Sequence, residues 1–138
     1  MNNIQTALKN WHRMIVIQPN ADLNDPAVKQ NIANIEAAAD KALSAFRRDA
    51  KDSLFLGRAP VTSADMTSEY ACIWNIAKAY GSHGSKYYNN EEILEILLFC
   101  VEWMNQNRYG QKEIYGVGWR DMPQFNWHGK DPKDASCA

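Results

Sequence analysis

The residues best suited to chemistry gather towards the C-terminal end of the chain. Tyr115, Trp119, Phe125 and Trp127 stand there with Arg120, Asn126 and His128. A tryptophan or tyrosine ring offers a flat apolar face to the C–H face of a sugar. Amide, guanidinium and imidazole groups hydrogen-bond hydroxyls or carboxylates. The composition suits a saccharide platform whose substrate contacts are Trp127, Asn126, Trp119, Arg120 and His128. The same rings suit a second role, as an apolar plug folded back over the open end of a helix bundle, because large aromatics mostly bury themselves.

The other candidates are weaker. His12 follows Trp11 one position off an apolar stripe, the place of a boundary residue. His83 sits in Gly81-Ser82-His83-Gly84-Ser85, a loop that meets either ligand or solvent. That loop is no phosphate cradle, since no Gly-Lys-Ser/Thr follows. Glu91-Glu92 suit the positive end of a helix dipole without any catalytic role. Asp121 beside Arg120 is either an ion pair or a ligand contact. No nucleophile elbow and no HExxH occurs. Cys72, Cys100 and Cys137 form no CxxC or zinc-spaced set, and Cys72 and Cys100 read as buried free thiols. No metal, no cofactor and no catalytic residue is expected. A small enzyme built on His83 or His128 has the least support, because neither has a partner at a recognisable spacing.

Helices must position whatever site exists. Ile4, Leu8, Trp11 and Ile15 make one stripe over 3–17, which ends at Pro19-Asn20. Asn24-Asp25-Pro26 starts a second helix with a cap and a first-position proline. Val28, Ile32, Ile35, Ala39, Ala42 and Phe46 carry its stripe, and Arg47-Arg48 suit its negative pole. Leu54-Phe55-Leu56 predicts a loop tucked against the body. A third helix starts at Thr62-Ser63, and Met66, Tyr70, Ile73, Trp74, Ala77 and Tyr80 line it. Asn89-Asn90 caps a fourth over about 91–106, apolar on most sides and therefore expected to be buried nearly all round. Trp11, Trp74 and Trp103 are expected in the core. No stretch alternates long enough for a strand. The fold class is all-α: antiparallel helical hairpins over 1–110, with an irregular aromatic tail over 111–138.

Composition excludes some roles. With 46% hydrophobic and 22% charged residues the chain is globular, and a net charge of −1 leaves no basic excess for nucleic acid or an anionic membrane. No apolar run reaches the ~18–20 residues of a membrane span, and the start of the chain lacks the pattern of a signal peptide.

The order of features resembles a known family. It runs through Leu8-Lys9-Asn10-Trp11, Asp22-Leu23-Asn24-Asp25-Pro26, Leu54-Phe55-Leu56 and Thr62-Ser63-Ala64-Asp65-Met66-Thr67-Ser68-Glu69-Tyr70. It continues through Ala77-Lys78-Ala79-Tyr80, Gly84-Ser85-Lys86-Tyr87-Tyr88-Asn89-Asn90, Ile93-Leu94-Glu95, Trp103 and Asn107-Arg108-Tyr109. This resembles the start of the α-helical toroid domain of the polysaccharide lyases that cleave hyaluronan, chondroitin and xanthan (polysaccharide lyase family 8). The resemblance covers about 6–109. It implies a partial (α/α) toroid and β-elimination next to a uronic acid. A base takes the C5 proton, the neutralised carboxylate stabilises the developing charge, and an acid protonates the leaving oxygen. The family assigns these steps to an Asn, a His and a Tyr that follow an Asn-Trp-Trp-Asp motif.

Two stretches compete for that motif. Asn126-Trp127 continues into His128-Gly129, and Gly118-Trp119-Arg120-Asp121 offers the rival alignment. In both, the catalytic region falls after Ala138. The expectation is a fragment or truncated relative of a uronic-acid lyase, inactive alone and at most saccharide-binding. Its partners would be an acidic polysaccharide, and further copies of itself or the rest of the toroid, because an incomplete toroid exposes the apolar surface of its fourth helix. An extracellular or periplasmic location is implied by the family alone. The alternative is a small helical protein-interaction or dimerisation module that binds no glycan.

Overall fold

A computed structural model describes residues 2–109. They form α1 (Asn3–Ile15), α2 (Pro26–Ala45), α3 (Ser63–Gly81) and α4 (Glu91–Met104), and a π-helical turn (Asn105–Tyr109) extends α4. No strand occurs among the described residues, so the all-α expectation holds. None of the helices there is long and apolar enough to cross a membrane. The tail of 111–138 lies outside the described residues.

Each helix begins at a side-chain cap. Asp25 accepts from the amides of Ala27 and Val28, with Pro26 at the first helical position. Thr62 accepts from the Asp65 amide while the Asp65 carboxylate accepts from the Thr62 amide, a reciprocal capping box. Asn90 accepts from the amide of Ile93. Asn2 and Gln5 form a second capping box at α1. α2 ends at Ala45, so Arg47 lies outside it. Its guanidinium still donates to the carbonyls of Ser44 and Phe46, satisfying acceptors that the helix end leaves open.

The core lies between α2, α3, α4 and the 53–56 segment. Ile35 and Ala39 cluster with Ala79, whereas Ala42 clusters with Ile76. That is the order of two antiparallel helices, and the alanines let their backbones approach. Leu54 and Phe55 are buried beneath them, and Leu54 is held by its carbonyl accepting from the Arg47 amide at 2.8 Å. Phe46 bridges the layers, 5.8 Å from the Phe55 ring and 6.1 Å from that of Phe99. α4 contributes Ile93, Leu97, Cys100 and Met104. Each fully buried large apolar side chain here is worth roughly 1.5–3 kcal/mol over its exposed state.

Three expectations about burial change. No residue of α1 is buried; its stripe, Ile4, Leu8 and Trp11, is 60–71% exposed. Trp74 is 45% exposed, and its ring meets Trp11 at 6.4 Å, so this pair is a surface feature and only Trp103 packs partly against the core. α4 is not buried all round either, because Leu94, Leu98 and Val101 face outwards. α1 is held at its C-terminal end, where the Ile17 amide donates to Ser82 Oγ and the His83 amide donates to the Ile17 carbonyl. Helical periodicity marks an apolar face but not what covers it.

Candidate functional site

Trp119, Arg120, Asn126, Trp127 and His128 lie outside the described residues. Along α3 and α4 runs an open groove of about 280 Å³, lined by Tyr70, Ile73, Val101, Glu102, Met104 and Asn105. Its walls are mainly apolar. Glu102 supplies a carboxylate at the rim, where it accepts from Gln106 Nε2 at 2.6 Å.

A buried ion pair ties α3 to the π-helical turn. Arg108 Nε donates to Glu69 Oε2 at 2.8 Å and Nη2 donates to Oε1 at 2.9 Å; both side chains are at most 2% exposed. Nη2 also donates to the Asp52 carbonyl at 2.7 Å, and the guanidinium lies 4.9 Å from the Trp103 ring centre. Arg108 thus joins the π-helical turn, α3 and the loop at Asp52, just before the 53–56 segment. A planar fork matched to a carboxylate is what a buried guanidinium requires. Within the turn, Asn107 Nδ2 donates to the Trp103 carbonyl at 2.8 Å. Its Oδ1 is buried without a hydrogen-bond partner among the described residues.

The loop between α3 and α4 is braced from below. Gly84 adopts φ +86°, and a Cβ there would meet Leu23 Cδ2 at 2.8 Å and Ile32 Cδ1 at 3.0 Å. Asn89 takes φ 52°, which asparagine tolerates better than most residues. Lys86 donates to Asp40 at 2.8 Å, the Tyr87 hydroxyl donates to the same carboxylate, and the Lys86 amide donates to Glu36 at 2.7 Å. Lys86, and then Tyr87, hold the Asp40 carboxyl below its usual range. Elsewhere the Arg58 fork, reinforced by the Val61 and Thr62 amides, holds Asp65 well below that range.

The two described histidines stand in different settings. His12 is exposed on α1. The His83 ring stands edge-on to Tyr88 at 5.2 Å, and its Nδ1 is buried without a hydrogen-bond partner among the described residues. No cluster of His, Cys, Asp or Glu able to hold a metal occurs among the described residues. Cys100 is fully buried, and burial pushes its thiol up to about 12; Cys72 is partly buried and shifted in the same direction.

Sequence reasoning missed the Glu69–Arg108 pair and the exposed Trp11–Trp74 pair. Glu69 and Arg108 both fall inside the stretches that carry the family resemblance, which was the available signal. Residues 39 apart show no periodic relation that would join them.

No curated protein and no solved structure matches this sequence. A family model, polysaccharide lyase family 8, N terminal alpha-helical domain, matches residues 11–122. That span takes in α2, α3, α4, the groove and the buried pair, and reaches past Trp119 and Arg120. The chain therefore belongs to the polysaccharide lyase family 8 N-terminal alpha-helical domain family.

Proposed function

We propose that this chain is the helical N-terminal region of a lyase acting on uronic-acid-containing glycans. It supplies saccharide contacts and does not itself perform β-elimination. The observation that carries this reading is the family match over 11–122. Trp119 and Arg120 are the contacts that it favours, because the match includes Gly118-Trp119-Arg120-Asp121 and ends before Asn126, Trp127 and His128. A ring at Trp119 would stack on a sugar while Arg120 pairs with a uronate carboxylate. The elimination needs a base at C5 and an acid at the leaving oxygen. His12 on an exposed helix face and His83 against Tyr88 do not form such a couple.

The test has two parts. Ultraviolet absorbance of unsaturated uronic-acid products is followed with hyaluronan, chondroitin and xanthan. No turnover is expected, and sustained turnover by the 138-residue chain would overturn the inactive assignment. Tryptophan fluorescence is then titrated with the same polymers. Saturable quenching that Trp119→Ala removes is expected, and a flat titration would overturn the binding assignment.

A further inference from the structure

Trp11 and Trp74 form an aromatic pair on the outside of the molecule. The rings come from different helices, α1 and α3, with centres 6.4 Å apart and planes inclined at 56°. Trp11 is 61% exposed and Trp74 45%. An indole that stays in contact with water offers a flat apolar face and an N–H donor. The α3 surface beside the pair has a definite polarity. At about 100° per residue, Lys78, Ala71 and Asn75 fall within roughly 100° of Trp74, all on the same side of it. Ala71 is exposed and too small to screen the indole, while Asn75 and Lys78 are half-buried. Lys78 stands one turn after Trp74, the spacing at which side chains on a helix meet. It makes no salt bridge among the described residues. The acids of α3 are Asp65, paired with Arg58, and Glu69, buried against Arg108. α1 carries no acid. Lys9 and Arg13 lie on the side of α1 away from Trp11, so Lys78 is the cation that helix geometry sets beside a ring.

We propose that Trp11, Trp74 and Lys78 form a second saccharide contact, which takes a uronic-acid residue. An indole face meets the C–H face of the sugar, and the Lys78 ammonium pairs with its carboxylate. Asn75, three residues before Lys78, supplies an amide for a hydroxyl. Ring and cation together favour an acidic sugar over a neutral one, and no carboxylate on this face opposes it. The proposal rests on the reading that the chain meets uronic-acid glycans, and it adds a contact made wholly of described residues. Two contacts on one polymer strengthen each other, because the second forms at the effective concentration set by the first. The two rings also couple binding to the docking of α1. That helix has no buried side chain, so a sugar held across both rings ties it to α3 and protects it from local opening.

Nitrogen-15 NMR of the 138-residue chain tests it, since each tryptophan gives one indole N–H signal. Oligosaccharides of hyaluronan, chondroitin and xanthan are the probes, and single Trp→Phe variants assign the signals. With at least one of the three, the Trp11 and Trp74 signals should shift together and saturably. Trp74→Ala should weaken that binding roughly three- to tenfold and remove the shift at Trp11. Both rings are largely exposed, so the substitution does not open the core, and circular dichroism checks the helical content. Lys78→Gln should weaken binding of the acidic oligosaccharide. It should leave unchanged the weaker binding of the same oligosaccharide with its carboxylates reduced to alcohols. Hydrogen exchange of the α1 amides should slow when the acidic oligosaccharide is bound. Shifts at Trp119 with none at Trp11 and Trp74 would overturn this proposal and leave the reading above intact. No shift at any tryptophan would overturn both. Equal weakening of the acidic and the reduced oligosaccharide by Lys78→Gln, or no effect on either, would overturn the uronate pairing.

Discussion

Replacing Arg108 with methionine removes the counter-charge of a carboxylate that has no access to water. Glu69 is fully buried and takes two of the bonds that Arg108 donates, at 2.8 and 2.9 Å. A hydrogen bond to a charged group contributes about 1.5–3 kcal/mol, so the pair loses about 3–6 kcal/mol. Breaking a buried pair from one side costs about 3–5 kcal/mol by direct comparison. The two figures agree, and a loss of about 4 kcal/mol is a large part of a domain's stability of about 5–15 kcal/mol. Glu69→Leu should cost a similar amount by stranding the guanidinium. The double variant Glu69→Leu/Arg108→Met removes both charges and forfeits chiefly the bond to the Asp52 carbonyl, so it should be no less stable than either single variant. Urea unfolding followed by tryptophan fluorescence measures all three, and a single variant that does not fold at all leaves the double variant as the readout. Strict additivity, with the double variant losing the sum of the singles, would refute the reasoning. So would a loss below about 1 kcal/mol in Arg108→Met, the range of an exposed pair.

Gly84→Ala combines a positive φ with contacts at 2.8 and 3.0 Å and should cost about 2–4 kcal/mol, whereas Gly57→Ala, at φ +68° with open space around it, should cost only about 1–2 kcal/mol; thermal unfolding of the two compares them. Asp65 and Asp40 both have folded-state carboxyls held below the ordinary range, so their contribution is complete above the unfolded value of about 4 and is lost as pH falls through the lower folded values. Acid unfolding should show this loss, and the Arg58→Gln variant should have a smaller acid dependence; an unchanged dependence would count against the Asp65 pairing. With its thiol pushed up to about 12 and no exposed surface, Cys100 should resist iodoacetamide in the native chain and react after denaturation, as read by peptide mass mapping; Cys72 should react first of the two.

The sequence makes the helices legible because their signals are local. Asp25-Pro26, Thr62 with Asp65, and Asn90 each act within four residues, and each caps the helix expected of it. Leu54-Phe55 is legible for a related reason, since adjacent apolar residues in a loop need cover. What periodicity leaves open is the partner of each face. Trp11 and Trp74 obey the same 3.6-residue rule as Met66, yet they end on the surface while Met66 is fully buried, and the buried Ile76 and Ala79 of α3 were not on the stripe read from the sequence. The Glu69–Arg108 pair and the π-helical turn depend on tertiary contact and have no local mark. The family's motif order was legible as a whole and is supported by the match over 11–122. The sugar-contact residues read from the sequence fall beyond the described residues, so their roles stand as proposals.

The attachment of α1 has a kinetic meaning. The helix has no buried side chain, and among the described residues it is tied to the body by the Trp11–Trp74 contact, by Val16 beside Gly81, and by Ile17, which packs on the Ile35–Ala39–Ala79 cluster and bonds Ser82 and His83. A segment with so little buried surface opens at a far lower free energy than the α2–α3 core. Local opening of α1 alone, about residues 16–17, therefore leaves the described packing of α2, α3 and α4 in place. A helix that opens in this way searches a larger volume for a surface to settle on than a fixed helix does, and it returns to the body without any refolding of the core.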